Sequence, residues 1–151
     1  MIKKVQIVIV CLIILTGCSG KMPKLGIING HLMECPQTPN CVNSQAKDYE
    51  HLIQPMLFIG TSKEAQIRLL KILNEWKHTK ITVTQDNYIR AEFVSKVFQF
   101  VDDIEFYFPE TEGKETTIHI RSASRVGYSD FGVNRKRIEQ IRNHLKWTKE
   151  N

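Results

Sequence analysis

The stretch Ile81-Thr82-Val83-Thr84-Gln85-Asp86-Asn87-Tyr88-Ile89-Arg90-Ala91-Glu92-Phe93 decides the fold class. Ile81 and Val83 alternate with threonines, Asp86-Asn87 supplies a turn, and Ile89, Ala91 and Phe93 alternate against Tyr88, Arg90 and Glu92. A period of two marks strands with one face on a core and the other in water. The stretch therefore reads as two paired strands with one wet face. Downstream, Val97-Phe98-Gln99-Phe100-Val101 is followed by Asp102-Asp103 and then by a fresh alternation over Ile104-Glu105-Phe106-Tyr107-Phe108. Ile118 and Ile120 alternate with Thr117, His119 and Arg121 as far as about Arg125. Short loops make local pairing the default, which gives an antiparallel meander of four or five strands.

The meander is flanked by two helical patterns. Thr61-Ser62-Lys63-Glu64 has capping-box spacing, and Ala65, Leu69, Ile72, Leu73 and Trp76 recur behind it, predicting a helix from Ser62 to Lys77. A polar segment from Val126 to Val133 leads to a second helix from about Asn134 to Lys149, with Ile138, Ile141 and Leu145 inward. The expected fold class is α+β, with the meander covered on one face by two helices.

The 151 residues carry 21 Lys+Arg, 16 Asp+Glu and four cysteines, and their distribution matters more than their totals. Met1-Ile2-Lys3-Lys4 opens the chain, and an apolar run from Val5 to Leu15, broken only by Gln6, follows it. Eleven residues are too few to cross a bilayer as a helix, which needs about 20. A basic start with a short apolar run reads as an export signal. Leu15-Thr16-Gly17-Cys18 then resembles the bacterial lipobox, in which the cysteine thiol takes up a diacylglyceryl group and cleavage falls just before it. Small side chains let a peptidase approach, and the thiolate is the nucleophile.

On this reading residues 1–17 are a lipoprotein signal peptide, 18–30 a tether and 31–151 a single domain. Removal of residues 1–17 leaves 134 residues and lowers the formal charge from +5 to +3. No basic stripe for nucleic acid remains. The expected location is the bacterial envelope, lipid-anchored. Ser19 lacks the aspartate that resembles an inner-membrane retention signal, so the anchor is expected in the outer membrane of a two-membrane cell, or otherwise on the outer face of the cell membrane.

Cys35 and Cys41 remain, with Pro36 and Pro39 between them. In an exported chain an even pair this close reads first as a disulfide. The spacing is too wide for a CxxC redox motif, and no second pair completes a zinc site. Two free thiols are the remaining alternative.

Three segments carry a wider resemblance: Cys35-Pro36-Gln37-Thr38-Pro39-Asn40-Cys41-Val42-Asn43-Ser44; Tyr88 to Phe93 with Phe100-Val101-Asp102-Asp103-Ile104-Glu105-Phe106; and Arg121-Ser122-Ala123-Ser124-Arg125-Val126-Gly127-Tyr128-Ser129-Asp130-Phe131-Gly132-Val133-Asn134-Arg135-Lys136-Arg137-Ile138-Glu139. The chain resembles the domain of unknown function 1499 family from about Leu32 to Leu145. The resemblance implies a bacterial envelope protein, often a lipoprotein, with no established activity and no assigned catalytic residues or cofactor.

The third segment is the most function-like. Arg121, Ser122, Ser124, Arg125 and Arg135 form a candidate site for a phosphate, carboxylate or acidic glycan, since arginine forks suit such groups. The competing reading is internal: Asp102, Asp103 and Glu105 lie one strand away and can take the same arginines. Asp130 can offset Arg135, which opposes the dipole at the start of the last helix. Asp102, Asp103 and His119 are the material for an alternative, an envelope hydrolase, although adjacent strand residues point to opposite faces. His31, His51, His78 and His144 have no zinc spacing, and Ser44, Ser124 and Ser129 lack a nucleophile-elbow pattern. The aromatics Tyr88, Tyr107, Tyr128, Phe98, Phe100, Phe106 and Phe108 are expected to fill the core, the alternative being an apolar groove at Phe98 and Phe100. The expected role is non-catalytic, as an envelope binding or assembly module held at the membrane through the lipid on Cys18. It would engage an anionic ligand or a protein partner.

Overall fold

The computed structural model describes residues 20–96, 98–110 and 113–147; the signal segment 1–17 and Cys18 lie outside them. Four strands, β5 (Thr79–Gln85), β6 (Tyr88–Val94), β7 (Val101–Tyr107) and β8 (Glu115–Ser124), form the expected antiparallel meander. Two helices, α1 (Ser62–Glu75) and α2 (Val133–Trp147), pack on one face of it.

Earlier strands extend the sheet past β8. Cys41–Asn43 (β3) pairs with β8 residues 121–123, and Met56–Ile59 (β4) pairs with residues 115–118, which makes a six-stranded sheet. A two-stranded hairpin of Ile27–Ile28 (β1) and His31–Leu32 (β2) stands apart from it. Short strands of two to four residues carry too little alternation to be read from sequence.

The helix-facing side holds the apolar core. Ile89, Ala91 and Phe93 on β6, Ile104 and Phe106 on β7, and Ile118 and Ile120 on β8 meet Leu69 and Leu73 of α1 and Ile138 and Ile141 of α2. Thr61 caps α1 in a full capping box with Glu64, so the local signal and the tertiary boundary agree. The helix ends at Glu75, two residues before the expected end, where Trp76 turns extended and packs edge-on against Phe93. Gln66 of α1 donates to the Asp86 carbonyl, tying the helix to the β5–β6 turn.

Three expectations are corrected. Asp102-Asp103 does not divide two apolar runs: β7 runs through both, and residues 98–100 lie outside it. Phe98, Phe100 and Tyr128 do not join the core, being 66%, 42% and 72% exposed, and the two phenylalanines stack on each other with ring centroids 5.4 Å apart. The stretch 18–30 is not tether throughout, because from Gly26 onward the backbone bonds into the domain and forms the β1–β2 hairpin.

Cys35 and Cys41 form a disulfide that ties the chain leaving β2 to the start of β3. Replacing both with serine should lower stability by roughly 2 kcal/mol on loop-closure entropy. Urea unfolding of the paired variant and of reduced wild type checks this; an unchanged midpoint in both would contradict it.

Candidate functional site

Antiparallel register aligns the side chains on the sheet face away from the helices. Arg90 stands opposite Glu105, Glu92 opposite Asp103, and Glu105 opposite Arg121. Asp103 faces Ala123 on β8, and this small side chain leaves room for Arg125, two residues on, to reach back diagonally. Arg125 donates from Nε to Asp103 Oδ2 at 2.7 Å and from Nη2 to Oδ1 at 2.8 Å, while Arg90 donates to the same Oδ1 from Nη2 at 2.6 Å. Arg125 also reaches Glu92. Glu105 accepts from the Tyr88 hydroxyl at 2.7 Å, the Gly26 amide at 3.0 Å and Arg121 Nη1 at 3.3 Å.

The alternation predicts a wet face here, yet Asp103 and Glu105 are 1% and 0% exposed. The cover is the N-terminal segment. Gly20 lies against Arg125 and Val126, Gly26 bonds Glu105, and Gly30 approaches the Tyr107 hydroxyl. The chain then doubles back through Leu32, which is buried and donates its amide to Gln45, to the disulfide. Gly26 has φ +133°, a backbone that L side chains rarely adopt, so a glycine at this point lets the amide turn down to the carboxylate.

Burial and pairing pull the two carboxylates in opposite directions. Burial pushes Asp103 up, but hydrogen bonds and charge from Arg125 and Arg90 outweigh it and hold the carboxyl below its ordinary value. For Glu105 burial prevails over its donors and raises it. Tyr88 is raised by burial and by the Glu105 charge beside it. Arg121 Nε is buried with no partner among the described residues.

Asp102 points the other way, toward α2. Arg137 Nη2 donates to it at 2.6 Å, and the same guanidinium lies 4.7 Å from the Phe93 ring centre and bonds Asn134 Oδ1 at 2.8 Å. Asn134, fully buried, also accepts from Ser122 and donates to Ser124 Oγ and the Asn40 carbonyl. Asp130 caps the helix by accepting from the Asn134 amide at 2.7 Å. Arg135 and Arg142 leave α2 to grip main-chain carbonyls: Arg135 those of Leu52 and Glu50, Arg142 those of Pro55 and Gln54.

Of the two readings the sequence leaves open for this segment, the observed hydrogen bonds follow the internal one. Arg121 donates from Nη1 to Glu105, Arg125 donates to Asp103 and Glu92, Arg135 donates to backbone, and Ser122 and Ser124 serve Asn134. Asp102 and Asp103 lie on opposite faces, each held by a different arginine, so they form no acid–base pair. His119 stacks on Tyr107 and lies 3.3 Å from Ser44 Oγ, which accepts the Ile120 amide. Burial, and then the charge of His31, lower its pKa. A surface groove of 650 Å³ is lined by Ile59, Ile67, Arg68 and Lys71 and includes none of these residues.

Sequence reasoning missed Arg90, Tyr88, Arg137 and Arg142 as structural donors. The signal available was charge at alternate positions on three successive strands, 90–92, 103–105 and 121–125; its meaning depends on register and on what covers the face.

A family model described as protein of unknown function (DUF1499) matches residues 31–145, and the chain belongs to that family. No curated protein matches it. Among solved structures, the crystal structure of TTHA0849 from Thermus thermophilus is similar over 72% of this chain and 99% of that one, with 9% identity and a TM-score of 0.34.

Proposed function

We propose that this DUF1499 member is an exported lipoprotein, held at a membrane through a lipid on Cys18, whose domain acts as a non-catalytic binding or assembly module of the cell envelope. The observation that carries the reading is Leu15-Thr16-Gly17-Cys18 behind a basic start and a short apolar run. The Cys35–Cys41 bridge suits an oxidising compartment. The carboxylates that an envelope hydrolase would need are engaged by arginines, Asp102 by Arg137 and Asp103 by Arg90 and Arg125, which favours binding over catalysis. With those arginines turned inward, a partner meets the outer surface of the domain.

Expression of the full chain in a bacterial host with an alkyne-tagged fatty acid tests the anchor. Label is expected on wild type in the membrane fraction, with a mature mass beginning at diacylglyceryl-Cys18. Cys18→Ser should lose the label and the membrane association. An unlabelled wild type, or one cleaved at another bond, would overturn the reading.

A further inference from the structure

We propose that one end of the sheet is a membrane-docking surface, on which Phe98, Phe100, Tyr128 and Phe131 enter the interface of an anionic bilayer. The proposal rests on lipidation at Cys18. The two ends of β8 lie about 30 Å apart, at 3.3 Å per residue. At the Ser124 end, Gly20 lies against Arg125 and Val126. Gly20 follows Cys18 with only Ser19 between them, and extended chain spans at most about 3.6 Å per residue. A lipid on Cys18 is thus held within about 7 Å of this end, so any bilayer taking its acyl chains lies against this end and not the other.

The same end carries two aromatic-tipped loops. One joins β6 to β7: Val94 pairs with Val101, and the tip presents the stacked Phe98 and Phe100. The Arg125 amide bonds the Val101 carbonyl, placing this loop beside the point where Gly20 sits. The other runs from Val126 to Val133, where Tyr128 and Phe131 are 72% and 96% exposed. Phe131 has φ +54°, in the left-handed region where a bulky residue is uncommon, and the loop is fixed around it. Asp130 accepts from the Gly132 and Asn134 amides, and Ser129 Oγ accepts from the Phe131 amide. A loop so tied holds its aromatic ring in water at a cost that burial in a bilayer interface would relieve. Aromatic rings favour that layer, and lysines favour anionic headgroups; Lys21, Lys80, Lys96 and Lys136 are exposed on the segments that converge here.

The test uses processed, lipidated protein in vesicles of phosphatidylcholine and phosphatidylglycerol, with and without acyl chains brominated near the headgroup. Phe98→Trp and Phe131→Trp report on this end, Ile59→Trp on the opposite end, and wild type supplies the Trp76 and Trp147 background. Bromolipid is expected to quench most of the added emission at 98 and 131, with a blue shift, and to leave Ile59→Trp unchanged. Protein bearing diacylglyceryl-Cys18 by mass, yet with no quenching at 98 and 131 or with equal quenching at 59, would overturn docking while leaving the anchor intact. A mass without lipid would remove the anchor and the docking proposal together. A soluble Cys18→Ser chain that dimerises and becomes monomeric on Phe131→Ser would assign this end to self-association instead.

Discussion

Asp103→Ala should destabilise the folded chain by about 3–5 kcal/mol, the usual cost of removing one partner from a buried ion pair. Asp103 is 1% exposed and accepts from both Arg90 and Arg125. Its loss leaves two buried guanidinium groups, of which, among the described residues, only Arg125 retains a carboxylate, that of Glu92. Asp103→Asn keeps the shape and loses the charge, so it should fall between the two. Urea unfolding at neutral pH measures the difference, and a loss below about 1 kcal/mol, the scale of an exposed pair, would show that water reaches the network.

The same residue shapes the acid limb of stability. Its folded pKa is lowered, so its contribution is present above the unfolded carboxylate value, about 3.9, and disappears as pH falls through the lower folded value. Glu105 has the opposite sign: its folded pKa is raised, so its contribution is present below the unfolded value, about 4.3, and is lost as pH rises through the folded one. Unfolding at a series of pH values should therefore show a steeper loss below about pH 4 in wild type than in Asp103→Asn. Parallel curves would assign the acid limb to other groups.

Arg137→Ala should cost about 3 kcal/mol, through the orphaned Asp102 carboxylate and the lost packing on Phe93. One guanidinium there bonds Asp102, bonds Asn134 and covers the Phe93 ring. Arg137→Lys keeps the charge but loses the planar fork, so it should restore only part of the loss. A double-mutant cycle with Asp102→Ala isolates the pair, and a coupling energy in the usual contact range, about 0.5–3 kcal/mol, is expected. A coupling near zero would place the effect in the Phe93 contact alone.

Much of the architecture is legible in the sequence because its signals are local. The period-two alternation of Ile89, Ala91 and Phe93, the Thr61–Glu64 capping box and the inward spacing of Ile138, Ile141 and Leu145 depend only on neighbours within a turn or a strand. β3 and β4 escape such a reading because three or four residues add to a sheet only when β8 offers them an edge. The Asp102-Asp103 pair reads as an interruption because a single sequence treats carboxylates as exposed; Arg137 on one face and Arg90 with Arg125 on the other reverse that preference. Hydrophobicity places Phe98 and Phe100 in the core, but it reports a residue's preference for burial and not whether the fold supplies a cover.

By itself the sequence determined the helices, the meander and the lipobox-like run ending at Cys18, since each is written in residue type at fixed short spacing. Only the tertiary structure decided what the Arg-rich segment does. Whether Arg121, Arg125 and Arg135 face a ligand or the interior depends on partners 16 to 85 positions away and on the N-terminal segment lying over the sheet. Charge becomes a binding site or a buried bridge according to what excludes water from it, and that exclusion arises from the whole fold.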